Sequence, residues 1–166
     1  MEKLWSPWRS QYIESFSGEQ KSDSCIFCSK ENEALGEKDS LLVRKGKLTF
    51  TVLNLYPYNN GHLMVVPYRH LNDLSLLTPE ESSEVMAELQ LAQKALQNAL
   101  HPHGFNIGAN LGKVSGAGID QHLHFHIVPR WNGDTNFMPV LGEVKVLSED
   151  LLKTKEKLLA AYSNLK

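Results

Sequence analysis

The chain has no apolar run approaching the roughly 18 residues of a membrane-spanning helix. Its opening, MEKLWSPWRSQY, lacks the basic-then-apolar order of a secretory leader. A cytoplasmic protein with no membrane partner is the expectation. It also has no basic surplus: 17 Lys and Arg stand against 19 Asp and Glu, for a formal charge of −2. General nucleic-acid binders are usually basic, so nucleic acid is not an expected partner and any anion site must be local. Cysteine is scarce, with Cys25 and Cys28 as the only pair. Two cysteines exclude a disulfide framework, and no βαβ pattern surrounds them as around a redox pair. Their spacing suits half a zinc site completed by two histidines. The alternative is two free thiols packing as small apolar groups beside Ile26 and Phe27. There is no internal repeat and no low-complexity segment. At 166 residues the chain is expected to be one domain with a sizeable core.

What is present concentrates in QHLHFHIVPRW, residues 121–131. His122, His124 and His126 alternate with Leu123, Phe125 and Ile127. Period-two alternation predicts a strand with three imidazoles on one face and apolar side chains on the other. Alternate Cα atoms lie about 6.5–7 Å apart, near enough for the rings to serve one ligand or metal. Pro129 removes a ladder donor and fits the strand's exit. Arg130 adds a permanent cation. Imidazole is a zinc ligand and, when neutral, a nucleophile, so a metal site and catalysis at phosphorus both fit the row.

Strands are expected at 41–44 and 48–55 around the turn Lys45–Gly46–Lys47, and at 62–66 after the turn 56–61. Residues 48–66 read as an antiparallel pair. Thr78 and Glu81 form a capping box with Pro79 at the first helical position. The helix runs to about Leu100, with Val85, Leu89, Ala92 and Leu96 on one face. His101 and His103 belong to the loop that ends it. Residues 105–111 form another strand. GKVSGAG, residues 112–118, is a glycine-rich loop whose N–H groups can converge on an anion, with Lys113 and Ser115 adding charge and a hydroxyl. Trp131 suits base stacking or a subunit boundary. An extended segment follows at 137–146. A last helix is expected at 148–165, capped by Ser148. A helical turn in 29–40 should end at Gly36. Residues 1–16, with Trp5, Trp8, Tyr12 and Phe16, read as an aromatic arm, 17–147 as the catalytic body, and 148–166 as a helix on the same domain.

The alternating histidines resemble the histidine-triad motif. LNLYPYNNGHLMVVPYRH (residues 53–70) and GFNIGANLGKVSGAGIDQHLHFHIVPRWNGDTNF (104–137) are similar to the branch containing bacterial diadenosine tetraphosphate phosphorylases and hydrolases. LWSPWRSQYI (4–13) fits the same branch. The resemblance implies an α+β domain, an antiparallel sheet of about five strands with two main helices mainly on one side, assembled as a homodimer. It implies nucleotide substrates and a covalent nucleotidyl intermediate on His124. His126 would bind phosphate or leaving-group oxygen, His122 would orient the site or hold zinc, and His62 is the matching fourth histidine. Asn54 becomes a ribose contact and Asn110 a ribose or phosphate contact. Tyr56 and Tyr58 border the base or simply pack in the turn. The loop, including Gly116, Lys113 and Ser115, faces phosphate, and Arg130 adds charge. Gly118 stands where several members carry Ser or Gln, so backbone replaces a side chain there. Zinc-containing members place the structural metal on Cys25, Cys28, His70 and His122. Three alternatives stay open: a nucleoside phosphoramidate hydrolase, a nucleotide-binding sensor without significant turnover, and a zinc-only structural protein.

Overall fold

The computed structural model describes residues 25–135 and 147–165. The aromatic arm and the extended segment at 137–146 lie outside the described residues. Five strands, β1 (Leu42–Lys45), β2 (Thr49–Leu53), β3 (Leu63–Pro67), β4 (Gly104–Gly108) and β5 (Phe125–Arg130), form one antiparallel sheet in the order β1-β2-β3-β5-β4. Two α-helices, α1 (Pro79–Leu100) and α2 (Leu151–Ser163), complete the expected α+β architecture.

Alternation along the strands splits the core in two. Val43, Leu53, Leu63, Val65 and Ile127 pack under Val85, Leu89, Ala92 and Leu96 of α1 and Leu158, Ala161 and Tyr162 of α2. Each such Leu or Ile contributes roughly 1.5–3 kcal/mol on burial. The intervening residues, Leu42, Phe50, Val52, Met64 and Val66, gather on the other face with Phe27. The capping box forms as expected: Thr78 accepts from the Glu81 N–H while the Glu81 carboxylate accepts from the Thr78 N–H. His101 ends α1 in the left-handed region at φ 51°. Gly61, at φ +73°, sits where a Cβ would come within 2.5 Å of Leu100 Cδ1, so only glycine lets the turn pass under the end of α1.

Several boundaries differ from the sequence reading, most of them by one or two residues. β4 stops at Gly108, opposite His126, because β5 begins only one residue earlier at Phe125. His122 and His124 therefore precede the paired strand. Pro129 lies inside β5, opposite Phe105, and its carbonyl accepts from the Asn59 side chain. The final helix is capped by Asp150 rather than Ser148, because the Asp150 carboxylate accepts from both the Leu152 and Lys153 N–H groups. The turn after the cysteines is a 3-10 turn ending at Asn32, short of Gly36.

Candidate active site and metal cluster

The histidines occupy the face of the sheet opposite the helices. β3 and β5 pair Met64 with His126, so the ring beside Met64 points away from α1 and α2. His62 immediately precedes β3 and is fully buried; His122, His124 and His126 are also buried.

Hydrogen bonds assign each ring its tautomer. The Tyr58 N–H donates to His62 Nδ1 at 3.1 Å, and the Asn54 amide approaches the same nitrogen at 3.4 Å. His62 must therefore carry its proton on Nε2, which donates to His126 Nδ1 at 2.9 Å. That leaves His126 with its proton on Nε2, a buried donor with no partner among the described residues. His124 is set differently. Its Nδ1–H donates to the His122 carbonyl at 2.8 Å, so Nε2 keeps a free lone pair. The His124 and His126 rings meet edge to face with centroids 4.8 Å apart. A bare nitrogen thus stands beside an unsatisfied N–H, which is the pairing an attack on phosphorus needs.

Burial keeps these rings neutral. It lowers the pKa of His124 below 6.5, against the raising effect of the bond to His122. It pushes His126 down to about 4, with the nearby His124 adding to the effect. His122 is also lowered, first by burial. A neutral His124 is available as a nucleophile at ordinary pH.

His122 has the opposite tautomer. Its Nε2–H donates to the Pro67 carbonyl at 2.9 Å, which frees Nδ1. That nitrogen lies 3.3 Å from Cys25 Sγ and 3.7 Å from Cys28 Sγ, while His70 Nδ1 lies 3.3 Å from Cys28 Sγ. All four ligand atoms fall within 4.8 Å of one another. Tetrahedral zinc, with bonds of about 2.0–2.3 Å, spans such separations. The free Nδ1 of His122 and the soft sulfur pair make the donor set fit a divalent metal. Fixed neighbours hold the corner: Leu123 N–H donates to the Leu71 carbonyl, and Arg69 grips the Glu81 carboxylate at 2.6 Å.

The structure thus brings together His62, His122, His124, His126 and Asn54, and separately Cys25, Cys28 and His70 around His122. Asn54 also accepts from the Tyr56 N–H. The other sequence candidates lie further out. Asn110 follows β4 by two residues. Lys113 is exposed, 3.9 Å from Asp120, and opens a short 3-10 turn in which Ser115 donates to the Gly112 carbonyl. Gly116 closes that turn at φ 89°, and Gly118 is half-buried. Arg130 is held by Asp134 at 2.6 Å and by Asn106 at 2.8 Å. Trp131 lines a cleft with Leu100, His101 and Lys157 at the helix ends. Sequence reasoning missed the Pro67 carbonyl, which fixes the His122 tautomer; backbone acceptors leave no trace in residue type.

Residues 35–133 match the HIT domain. The chain belongs to the HIT family. A HIT relative from Mycobacterium tuberculosis, named AP-4-A phosphorylase, is 44% identical over 163 residues, covering 96% of this chain and 83% of that protein. The asymmetrical bis(5'-nucleosyl)-tetraphosphatase of Schizosaccharomyces pombe is 28% identical over 116 residues, covering 70% and 60% respectively. Among solved HIT structures, a Zn-bound histidine triad family protein from Mycobacterium smegmatis superposes with a TM-score of 0.69 at 28% identity, covering 86% of this chain and 96% of that one. Among the described residues no helix is long and apolar enough to cross a membrane.

Proposed function

We propose that this HIT protein transfers a nucleotidyl group from a dinucleoside polyphosphate of the diadenosine tetraphosphate type, through a covalent intermediate on His124. One observation carries the reading: His124 Nε2 is bare and lies beside the unpartnered Nε2–H of His126. Nε2 attacks the α-phosphorus. A P–N bond forms while the P–O bond to the remaining phosphates breaks, and nucleoside triphosphate leaves with the bonding pair. His126 donates its hydrogen bond to the phosphate oxygens as charge moves onto them. An oxygen of inorganic phosphate, or of water, then attacks phosphorus, and the P–N bond returns its electrons to Nε2. One relative is named for phosphorolysis and another for hydrolysis, and the higher identity to the phosphorylase, 44% against 28%, favours phosphate as acceptor.

In this reading the loop Gly112 to Gly118, through Lys113, Ser115, Gly116 and Gly118, faces the departing phosphates. Asn54 and Asn110 hold ribose or phosphate, Arg130 adds charge at the end of β5, and Trp131 stacks on a base or packs at a subunit boundary. Zinc on Cys25, Cys28, His70 and His122 is structural: four protein ligands leave no open position for substrate. The protein works as a cytoplasmic homodimer.

The test is product identification. Diadenosine tetraphosphate incubated with phosphate should yield ADP plus ATP; without phosphate, AMP plus ATP marks the hydrolytic route. Turnover of adenosine phosphoramidate with no turnover of diadenosine tetraphosphate would replace this reading by the phosphoramidase one.

A further inference from the structure

Phe27 lies inside the CxxC segment, between the two sulfur donors, yet its ring does not belong to the metal cluster alone. It is 2% exposed. Its ring meets His122 edge-on at 5.4 Å between centroids and at an interplanar angle of 72°. It also meets the proposed nucleophile, His124, at 5.2 Å and 45°. Behind it stands Phe50 at 6.4 Å, which in turn touches Tyr68.

These contacts close the last freedom of the His124 ring. The Nδ1–H bond to the His122 carbonyl fixes one edge. The His126 ring packs edge to face, 80° from the plane of His124. A single hydrogen bond still permits the imidazole to tilt, and a ring turned over about its Cβ–Cγ bond would lose the Nδ1–H bond to His122 and present Cε1, a carbon, where Nε2 had been. Phe27 packs against the His124 ring, 5.2 Å between centroids, and so opposes movement towards it. Displacement of a reacting atom by about 1 Å can cost on the order of 100-fold in rate.

The geometry points to Phe27 as a positioning residue for His124, a wall delivered by the cysteine segment that holds Nε2 aimed at phosphorus. The inference rests on the nucleotidyl-histidine reading above. It makes the metal corner and the reacting ring share one aromatic side chain: the segment that presents Cys25 and Cys28 also sets the attack geometry.

The experiment compares Phe27→Leu with Phe50→Leu and His124→Ala, each with and without added zinc salt. Phe50 is equally buried in the same cluster. Phe27→Leu should lower kcat for diadenosine tetraphosphate about 10–100-fold with KM within about threefold. Phe50→Leu, at a similar loss of thermal midpoint, should keep kcat within about threefold. Nitrogen NMR on histidine-labelled protein should show one His124 tautomer, protonated on Nδ1, in the parent and in Phe50→Leu, and a mixture in Phe27→Leu. Should Phe27→Leu not fold, Phe27→Met retains apolar volume without the flat face and takes its place. A normal kcat, a kcat loss matched by Phe50→Leu, an unchanged tautomer, or full recovery on adding zinc would each overturn the role of Phe27. Wild-type turnover by His124→Ala would instead sink the nucleotidyl-histidine reading itself.

Discussion

On β3 and β5, Leu63, Val65 and Ile127 point to the helices, while Met64 and His126, one residue out of phase, point the other way. Both faces are buried, but they are buried differently. The helix face is closed mainly by apolar side chains of α1 and α2, with Tyr162 and the Arg44–Glu88 ion pair beside them, and its demand is chiefly for volume. The opposite face holds four imidazoles whose ring nitrogens are matched one by one among the described residues, except Nε2 of His124 and the Nε2–H of His126. Burial stabilises the first face. On the second it favours the neutral form of His124 and His126, rings that hydrogen bonds orient, as the proposed attack on phosphorus requires.

Substitutions should separate the two. His124→Ala should cost at least about 10⁴-fold in turnover, equivalent to roughly 5.5 kcal/mol, with little change in thermal stability and retained nucleotide binding. Steady-state kinetics beside a thermal melt would check both halves. Leu96→Ala, under the helices, should do the reverse: a loss of about 2–5 kcal/mol in denaturant unfolding with the turnover of the folded fraction intact. A turnover defect in that variant would blur the distinction between the faces.

A pH series sharpens it. The folded pKa of His126 is about 4, below its unfolded value of 6.5. Between these limits the unfolded chain binds more protons, so stability rises with pH through this window. The contribution is complete above pH 6.5 and is lost as pH falls towards 4, amounting to about 3 kcal/mol. His126→Asn should flatten that part of the stability profile, measured by urea unfolding at several pH values. The smallest effect is expected far from both faces: Thr78→Ala should cost about 1 kcal/mol by removing one half of the capping box, without changing kcat.

Much of this was legible in the sequence because it depends on local rules. The period-two histidines, the capping box at Thr78 and the antiparallel pairing of residues 48–66 all follow from side-chain spacing. The extent of β5 did not, since it is set by a partner. β3 runs out at Pro67, whose carbonyl is taken by the His122 ring instead of a strand N–H. The cap of α2 was ambiguous for another reason: Ser148, Glu149 and Asp150 are all polar, and only the placement of Glu149 on Thr154 and Lys157 leaves Asp150 for the cap. The setting of Arg130 could be read only in part from its neighbours in the chain: Asp134, four residues on, pairs with its guanidinium, but Asn106, which shares it, comes from β4.

One carboxylate described earlier links regions that seem unrelated. Glu81 closes the first turn of α1 and also clamps Arg69, the residue next to His70. The start of α1 is thereby tied by one side chain to the segment that carries His70. Whatever tightens His70 should slow amide exchange around Glu81, so the beginning of α1 would report on any metal taken up by the cysteine–histidine cluster.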